Sequence, residues 1–575
     1  MSAAGSVVPA AEPSPRLATM NDTLHTEILI AGGGPFGLML ALELGKRGVR
    51  CLLVEPKPGT AYNPQANATQ ARTMEHFRRH GFADAVRAQG LPPDHPTDIA
   101  YFTRYCGHEL ARLQLPTAAQ ASQAVRSLGG SWSAAELPHR VSQKFVEAIL
   151  LEQVRQLPSV TLQHGWRLAS FEERGSSVHA RIEATEGGAA QDVQARYLIG
   201  ADGARSFVRQ RLGIAWGGST GFKRDFMGGK MFAVYLRAPG FYEAFPHARA
   251  WMYVSVNAQR RAFMASVDGR TEFAFHAAVH AGEDADAWTA EDARRIFAQA
   301  LGREIPIEVL SVLTWTAGHA LVAERFQRGR AFIGGDAAHL FTPTGGLGYN
   351  TAVEDAVNLG WKLAHVLQGR TPETLLDSYE TERRPLALRN TGYARQFADS
   401  VGLFVATPEL EADTPAGAAA RAATSEHLNR HVRLEFNIPG VTFGGRYDGS
   451  PLITSDGSTP PPDAPNTYIP TACPGGRPPH AWLADGRSLY DSFHFEWTLL
   501  ALGPEMPDTA SFQQAAQTMG LDLRVVRQEA PELRALYEAP LALIRPDQIV
   551  AWRGHDADAA ASVLARASGR GLAGA

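Results

Sequence analysis

The sequence contains little cysteine, no strong charge excess and no long apolar run. Its three cysteines, Cys51, Cys106 and Cys473, are far apart in 575 residues and form no CxxC pair. This spacing argues against a disulfide framework and against a zinc site, so we expect no metal. The net charge of −4 at pH 7 lacks the basic excess that binding to nucleic acid or to an anionic membrane favours.

The chain also lacks a segment of about 20 apolar residues, the length that crosses a bilayer. Residues 1–20 are rich in Ala, Ser and Pro and have no basic start followed by an apolar run, which argues against a signal peptide. We therefore expect a disordered tail over residues 1–23. We also expect a cytoplasmic protein with neither nucleic acid nor a membrane as its partner.

A glycine-rich turn near the start of the organised sequence carries the first functional signal. The apolar residues 26–31 predict a buried strand, and the apolar spacing after Gly37 predicts a helix. Between them, Gly32 permits a tight turn, Gly34 lets the backbone approach a pyrophosphate, and Gly37 allows close helix–strand packing. The free N–H groups at the start of the helix favour an anion. The pattern therefore indicates a dinucleotide.

A carboxylate stands where a dinucleotide site requires one. Residues 49–55 predict the second strand of a βαβ unit, and Glu55 ends it. A carboxylate at this distance from the first glycine binds the adenosine ribose. The fingerprint alone does not distinguish NAD from FAD.

Two later motifs separate these nucleotides. Asp202 and Gly203 follow a predicted strand, as do Gly335 and Asp336. A glycine-rich loop, residues 343–348, then precedes a predicted helix over residues 350–367. With the first fingerprint, these motifs resemble those of the class A, single-component FAD-dependent aromatic hydroxylases of the phenol-hydroxylase type. The resemblance covers about residues 24–400.

The resemblance implies FAD as cofactor and NADH or NADPH as a transient reductant. In this family, reduced FAD forms a C4a-hydroperoxide that hydroxylates an aromatic ring, while the protein supplies position and electrostatics. We expect a monooxygenase that hydroxylates a small phenolic ring with O2, and a homodimer. Two alternatives stay open. One is a hydroxylase of a polycyclic, polyketide or antibiotic substrate, and the other is an FAD-binding carrier or regulatory protein without oxygenase activity.

The predicted cofactor contacts come from the fingerprint and from the resemblance. Asp336 would accept a hydrogen bond from a ribityl hydroxyl, Arg72 would pair with a phosphate, and Gln143 would contact a ribose or pyrophosphate group. The predicted cofactor-binding residues are Gly32, Gly34, Pro35, Phe36, Gly37, Glu55, Pro56, Arg72, Gln143, Asp202, Gly203, Gly335, Asp336, Pro343, Gly346, Gly348, Tyr349 and Asn350.

The substrate side is less clearly marked. Phenol hydroxylase has an aspartate at the position of Asn67, and asparagine cannot act as a base near neutral pH, so the activating base stays unassigned. A histidine can take a phenolic proton, and an arginine can stabilise a phenolate. The predicted catalytic residues are Pro343, His139, Tyr235 and Arg237. The predicted substrate contacts are Asn67, Tyr253 and Trp251.

The predicted fold class is α/β. A Rossmann-type FAD-binding domain would span residues 24–216 and 315–400, with a substrate-binding sheet domain inserted at residues 217–314. Helix and linker would follow over residues 401–479. Residues 480–575 resemble the thioredoxin-like domain of longer family members, but they lack the redox CxxC motif.

Overall fold

The computed structural model describes residues 23–221 and 226–572. The predicted tail over residues 1–23 therefore lies outside the described residues, except for Thr23. The described chain is an α/β protein, as predicted, and its sheets contain both parallel and antiparallel strands.

The strands are numbered in chain order. They are β1 (Leu24–His25), β2 (Ile28–Ala31), β3 (Cys51–Glu55), β4 (Ile99–Phe102), β5 (Glu109–Leu113), β6 (Val160–His164), β7 (Trp166–Arg174), β8 (Ser177–Ala184), β9 (Ala190–Ala195), β10 (Tyr197–Gly200), β11 (Trp216–Thr220), β12 (Lys230–Arg237), β13 (Met252–Ser255), β14 (Ala262–Ser266), β15 (Glu272–Ala278), β16 (Glu308–Thr316), β17 (His319–Ala323), β18 (Gln327–Arg328), β19 (Ala331–Ile333), β20 (His339–Leu340), β21 (Trp497–Leu502), β22 (Leu523–Gln528), β23 (Leu541–Ile544) and β24 (Val550–Gly554).

The α-helices are numbered in the same way. They are α1 (Pro35–Gly45), α2 (Ala71–His80), α3 (Ala83–Arg87), α4 (Ala118–Ser127), α5 (Gln143–Arg155), α6 (Phe207–Arg211), α7 (Phe241–Ala244), α8 (Ala290–Leu301), α9 (Leu347–Leu367), α10 (Ser378–Gly402), α11 (Pro415–Phe436), α12 (Pro439–Phe443), α13 (Ala510–Thr518), α14 (Pro531–Tyr537) and α15 (Ala560–Ala567).

A six-stranded sheet in the order β18-β19-β10-β2-β3-β6 forms the frame of the nucleotide-binding part. All of its strand pairs are parallel except β18 with β19. Parallel sheets are covered on both faces, which explains why β2 is fully apolar and buried. Strand β6 also belongs to this sheet and pairs in parallel with β3, whereas the next two strands, β7 and β8, form an antiparallel hairpin.

A seven-stranded sheet in the order β16-β12-β15-β14-β13-β4-β5 forms the expected second layer. It extends beyond the predicted residues 217–314, because β4 and β5 join it and β16 ends at Thr316. Strand β4 lies parallel to β13, far along the chain. The two strands are short, and their partner is distant. For this reason the sequence pattern over residues 100–115 looks irregular.

The C-terminal unit has a four-stranded sheet in the order β22-β21-β23-β24. Strands β21 and β22 are parallel, and the other two pairs are antiparallel. With helices α13, α14 and α15, the chain order is βαβαββα, the thioredoxin-like arrangement that was predicted. Within residues 401–479, helices α11 and α12 precede an irregular connection.

The turn between β23 and β24 enters the nucleotide-binding part. Arg545 is fully buried there and forms ion pairs with Glu382 of α10 and with its own neighbour Asp547. Lys362 of α9 also binds Glu382, at 2.6 Å. Gln548 has a positive φ of 57° and is buried. A strained turn and a closed ionic cluster therefore attach the C-terminal unit to helices α9 and α10.

Candidate flavin and substrate site

The glycine turn after β2 combines two different requirements. A Cβ on Gly32 would lie 2.2 Å from the carbonyl oxygen of Ala201, and one on Gly37 would lie 2.0 Å from the carbonyl oxygen of Gly32. These two positions therefore need glycine for packing. A Cβ on Gly34 would meet no protein atom within 4 Å. Helix α1 begins just after Gly34, without a side-chain cap, so its N–H groups are open to an anion.

Glu55 lies beside this turn at the carboxyl end of β3. Its Oε2 accepts a hydrogen bond from the Gly33 N–H at 2.7 Å, and its Oε1 accepts one from the Lys57 N–H at 3.0 Å. These bonds hold the carboxylate at the edge of the open turn. This is the predicted position for a ribose-binding carboxylate, with exposed Pro56 next to it.

Asp336 lies in the turn after β19. The residue has solvent-accessible surface, yet the surrounding protein desolvates its carboxyl group and raises the pKa of that group above its ordinary value. No described residue forms a hydrogen bond with it. An accessible acceptor without a protein partner fits a hydroxyl-bearing ligand.

A buried ionic group fixes the turn that carries Asp336. Asp355 accepts a hydrogen bond from the Gly335 N–H at 3.2 Å and lies 2.6 Å from Nε2 of His339. Its other oxygen accepts a bond from Nε of Arg383 at 2.8 Å. Phe36 packs so closely on this turn that a Cβ on Gly334 would lie 2.2 Å from its ring. Phe36 therefore acts through packing.

The 343–348 loop leads directly into helix α9. Gly345 and Gly346 have positive φ angles of 71° and 63°, which explains their residue type. The Gly345 N–H donates to Oε1 of Glu435 at 3.0 Å. Helix α9 has no side-chain cap, and Pro343 is exposed. The loop therefore lies at the positive end of a 21-residue helix.

Asn350 links this loop to residues 68–73 rather than facing a ligand. Its Oδ1 accepts bonds from the Gln70 N–H at 2.8 Å and the Thr73 hydroxyl at 2.7 Å. Its Nδ2 donates to the carbonyl oxygens of Ala68 at 3.0 Å and Gly346 at 2.6 Å. The side chain has no remaining donor or acceptor. The predicted cofactor contact of Asn350 is therefore wrong for the side chain, which positions the loop instead.

Three other residues that were predicted to bind the cofactor contact side chains or backbone of the protein itself. Asp202 accepts hydrogen bonds from the Ser206 hydroxyl and, at 3.0 Å, from the Val208 N–H, and so it serves the start of α6. Burial raises the pKa of its carboxyl group. Gln143 donates to Glu147 at 2.6 Å, and Tyr349 is buried with its hydroxyl 3.4 Å from that of Thr69.

Arg72 lies at the C-terminal unit. Its Nη2 donates to the carbonyl oxygens of Asp547 at 3.2 Å and Gln548 at 3.0 Å, and its Nη1 lies 3.1 Å from Oε2 of Glu75. The guanidinium group therefore donates its hydrogen bonds to residues in the turn between β23 and β24. The structure therefore contradicts the predicted phosphate pairing of Arg72 and gives it an anchoring role.

The predicted catalytic side chains do not gather at one point. His139 is buried and 3.3 Å from the carbonyl oxygen of Gln89, and burial together with Arg87 lowers its pKa to about 4, so it is a weak base. Tyr235 is bonded to Lys144 and to Glu272, and burial raises its pKa.

Arg237 is exposed and engages the carboxylates of Glu272 and Glu308. It is therefore not placed to stabilise a phenolate. Of the four predicted catalytic residues, only Pro343 lies in the loop that precedes α9, where it is exposed.

The predicted substrate residues lie on opposite faces of the seven-stranded sheet. Tyr253 is fully buried against Phe241 and Phe245, and its hydroxyl accepts a bond from the Ala250 N–H. It faces away from the nucleotide-binding part, so its predicted substrate contact is wrong. Trp251 packs on the other face in one cluster with Ala68. Oδ1 of Asn67, beside Ala68, is a buried acceptor without a partner among the described residues.

Sequence reasoning missed Arg140. Its guanidinium carbon lies 4.6 Å from the ring centroid of Trp251, and the side chain is buried. The segment Pro138-His139-Arg140 drew attention in the sequence, but His139 was chosen there as the candidate instead of its neighbour Arg140.

These features together fit an extended dinucleotide. They are two helices with uncapped N-termini, an open glycine turn with Glu55 beside it, and the unpartnered carboxylate of Asp336 between them. A family model described as "FAD binding domain" matches residues 25–393. A second model, "Aromatic-ring hydroxylase, C-terminal", matches residues 471–573. The chain belongs to the FAD-dependent aromatic hydroxylases.

Relatives of this hydroxylase are similar over nearly their full length. Aklavinone 12-hydroxylase RdmE from Streptomyces purpurascens is 32% identical over 94% of this chain and 98% of its own. Phenol 2-monooxygenase from Pseudomonas sp. (strain EST1001) is 30% identical over 93% and 91%. The solved structure of the rebeccamycin biosynthetic enzyme RebC with reduced flavin is 34% identical, with a TM-score of 0.85 over 96% of this chain and 100% of that chain.

The family membership confirms the predicted class of enzyme, its FAD cofactor and the NAD(P)H reductant typical of the family. It does not support the alternative of a carrier without oxygenase activity. Within residues 23–221 and 226–572, no helix is both long and apolar enough to cross a membrane. The same ranges contain no cluster of metal-ligating side chains, and all three cysteines are free.

Proposed function

We propose that this hydroxylase inserts one oxygen atom of O2 into a small phenolic ring with NADH or NADPH as the electron donor. Bound FAD supplies the redox and oxygen chemistry. The observation that carries the proposal is the uncapped start of α9 behind the 343–348 loop, in which Pro343 is exposed while Thr344 and Gly345 are buried. If the start of this helix had only a structural role, its free N–H groups beside a buried loop would need a capping side chain.

The chain contributes binding, orientation and electrostatics. The open turn at Gly34 and the carboxylate of Glu55 hold the ADP end, and Asp336 accepts a hydroxyl of the ribityl chain. The N–H groups at the start of α9 stabilise negative charge that develops on the flavin pyrimidine ring. The aromatic and apolar side chains around Trp251 keep water from the ring that reacts.

A second candidate substrate is a polycyclic phenol of the polyketide type. The near full-length similarity to aklavinone 12-hydroxylase favours it. The two candidates share the phenolic group and differ in the number of fused rings.

We also propose a cytoplasmic homodimer. Three free thiols suit a reducing compartment. Strand β16 is a nine-residue sheet edge with exposed Val312 and Leu313, and such an edge favours pairing with a second chain. Native mass spectrometry gives the subunit number, and a monomer at micromolar concentration would contradict the dimer.

The test of the reaction uses purified protein loaded with FAD and three ligands of increasing size: phenol, 2-naphthol and 1-hydroxyanthraquinone. We expect at least one of them to stimulate NAD(P)H oxidation and to gain one atom of ¹⁸O from ¹⁸O2, as measured by mass spectrometry. The ligand that reacts distinguishes the small-phenol from the polycyclic candidate. Oxidation of NAD(P)H that no ligand stimulates, with no labelled product, would sink the proposed function.

A further inference from the structure

Arg140 is a buried cation without a polar partner. The residue is only 6% exposed, yet no described residue forms a hydrogen bond or an ion pair with its guanidinium group. Two aromatic rings hold it instead, Trp251 at 4.6 Å and Phe436 at 5.8 Å from the guanidinium carbon. Arginines at this depth elsewhere in the chain are paired, as Arg383 and Arg545 are.

The position of Arg140 follows from a short antiparallel pairing. Thr69 and His139 exchange both backbone hydrogen bonds, at 2.9 and 2.8 Å. This register places Arg140 opposite Ala68, and residues that oppose each other in such a pair have neighbouring side chains. Ala68 in turn contacts the 343–348 loop, since a Cβ on Gly346 would lie 3.2 Å from the Cβ of Ala68. Arg140 therefore lies beside the 343–348 loop, on the side of the seven-stranded sheet.

The other charged groups around Arg140 are already engaged. Glu435 of α11 is the acid that acts on it, but its Oε1 accepts the Gly345 N–H and its Oε2 lies 2.9 Å from Nε2 of His431. On the segment of Arg140 itself, His139 is neutral because burial lowers its pKa to about 4. Burial also lowers the pKa of Arg140 to about 10. The guanidinium group is thus desolvated, and the two aromatic rings and the attraction of Glu435 offset this cost only in part, so an anion supplied by a ligand would be stabilised there.

We propose that Arg140 binds the ionised oxygen of the phenolic substrate and holds it as a phenolate beside the 343–348 loop. The proposal rests on the proposed function. It assigns to Arg140 the activation of the phenol, since Asn67 cannot act as the base that removes the phenolic proton. An adjacent guanidinium group favours the charged form of an acidic group and lowers its pKa by about 1–3 units. The phenolic proton passes to solvent, and the electron-rich phenolate ring is the form that accepts oxygen.

The test measures the pKa of bound 2-naphthol from its ultraviolet spectrum as the pH is raised, with the FAD-loaded protein. In the wild type we expect a pKa about 1–3 units below that of free 2-naphthol. Arg140→Met should abolish this shift and weaken naphtholate binding at least about tenfold, because a hydrogen bond to a charged group is lost. Arg140→Lys should restore part of the shift. Arg112→Met removes an arginine of β5 that is paired with Glu109 and Asp98, and it should behave as the wild type.

Stability provides a second readout. Removal of an unpaired buried charge should leave the ligand-free Arg140→Met protein at least as stable as the wild type, whereas a structural role predicts a loss. The proposal is overturned if wild type and Arg140→Met give bound 2-naphthol the same pKa, or if the wild type does not bind it. 2-Naphthoate serves as a carboxylate probe. If Arg140→Met binds 2-naphthoate more weakly but binds 2-naphthol as the wild type does, the site is assigned to a carboxylate and the phenolate assignment is overturned. A shifted pKa without ligand-stimulated NAD(P)H oxidation would contradict only the hydroxylase proposal.

Discussion

At the scale of single residues, the three glycines of the first turn serve two purposes. The backbone around Gly32 and Gly37 leaves no room for a Cβ, whereas Gly34 faces open space. Gly34 has a φ of −76°, which any residue adopts. Folding alone therefore does not explain its residue type, and a ligand that approaches the backbone does.

Alanine substitutions at Gly34 and Gly37 separate these purposes. Gly34→Ala should leave the unfolding free energy of the apoprotein unchanged within about 0.5 kcal/mol, because the methyl group meets no protein atom. It should weaken FAD binding at least about tenfold, since the methyl group occupies the space of the pyrophosphate. Gly37→Ala should destabilise the apoprotein by about 1–3 kcal/mol through overpacking. Denaturant unfolding and FAD titration give the two quantities. Normal FAD affinity in Gly34→Ala would contradict this assignment.

Those residues of the candidate site that belong to short local motifs could be located from the sequence. A glycine turn, a carboxylate at a strand end and a glycine loop before a helix each depend on a few neighbouring residues, so Glu55 and Asp336 stand where they were expected. The substrate side depends on which sheet face points inward. Alternation along β13 separates Tyr253 from Met252 and Val254, but only the packing of the whole sheet decides which face meets the cofactor.

At the scale of elements, the sheet strands near residues 99–113 and the anchoring of α2 were not predictable. Strand β4 needs β13 as its partner, and Arg72 of α2 needs a turn that lies 475 residues later in the chain. No local pattern announces a partner at such a distance. The helix predicted over residues 350–367 matches α9 to within three residues, because its apolar sequence is long and is buried on nearly all sides.

Substitution of Arg72 tests its role at the contact between α2 and the C-terminal hairpin. Arg72→Met should lower the unfolding free energy by about 2–4 kcal/mol, because two carbonyl oxygens and Glu75 lose a buried charged donor. The affinity of the folded protein for FAD should stay within about twofold. Arg155→Met, at the exposed end of α5, is the control and should change neither quantity. A large loss of FAD affinity with unchanged stability would instead restore the predicted phosphate contact.

At the scale of the whole molecule, buried histidines set the dependence of stability on pH. Burial is the main cause that lowers the pKa of His80, His139 and His276 to about 4. The unfolded chain has histidine pKa values near 6.5. Between pH 6.5 and 4, the unfolded state therefore binds more protons than the folded state, and the folded state loses stability as the pH falls.

The unfolding free energy should accordingly fall between pH 6.5 and pH 4, by at most about 1.4 kcal/mol per pH unit for each of these histidines. Denaturant unfolding at pH 4.5, 5.5, 6.5 and 7.5 measures the slope. His276→Phe keeps the stacking on Phe263 and removes one titrating group, so its slope should be shallower. Equal slopes in the wild type and the variant would show that His276 does not contribute.

The ionic cluster around Glu382 has a consequence for biosynthesis. Its partner Arg545 lies 163 residues further along the chain, and both side chains are fully buried in the folded protein. A ribosome that has finished α10 has already made Lys362, one cation of this cluster, but it has not yet made Arg545, the other. The nucleotide-binding part therefore completes this cluster only after the last hairpin emerges, and a nascent chain that stalls before residue 545 lacks the guanidinium group that pairs with both carboxylate oxygens of Glu382.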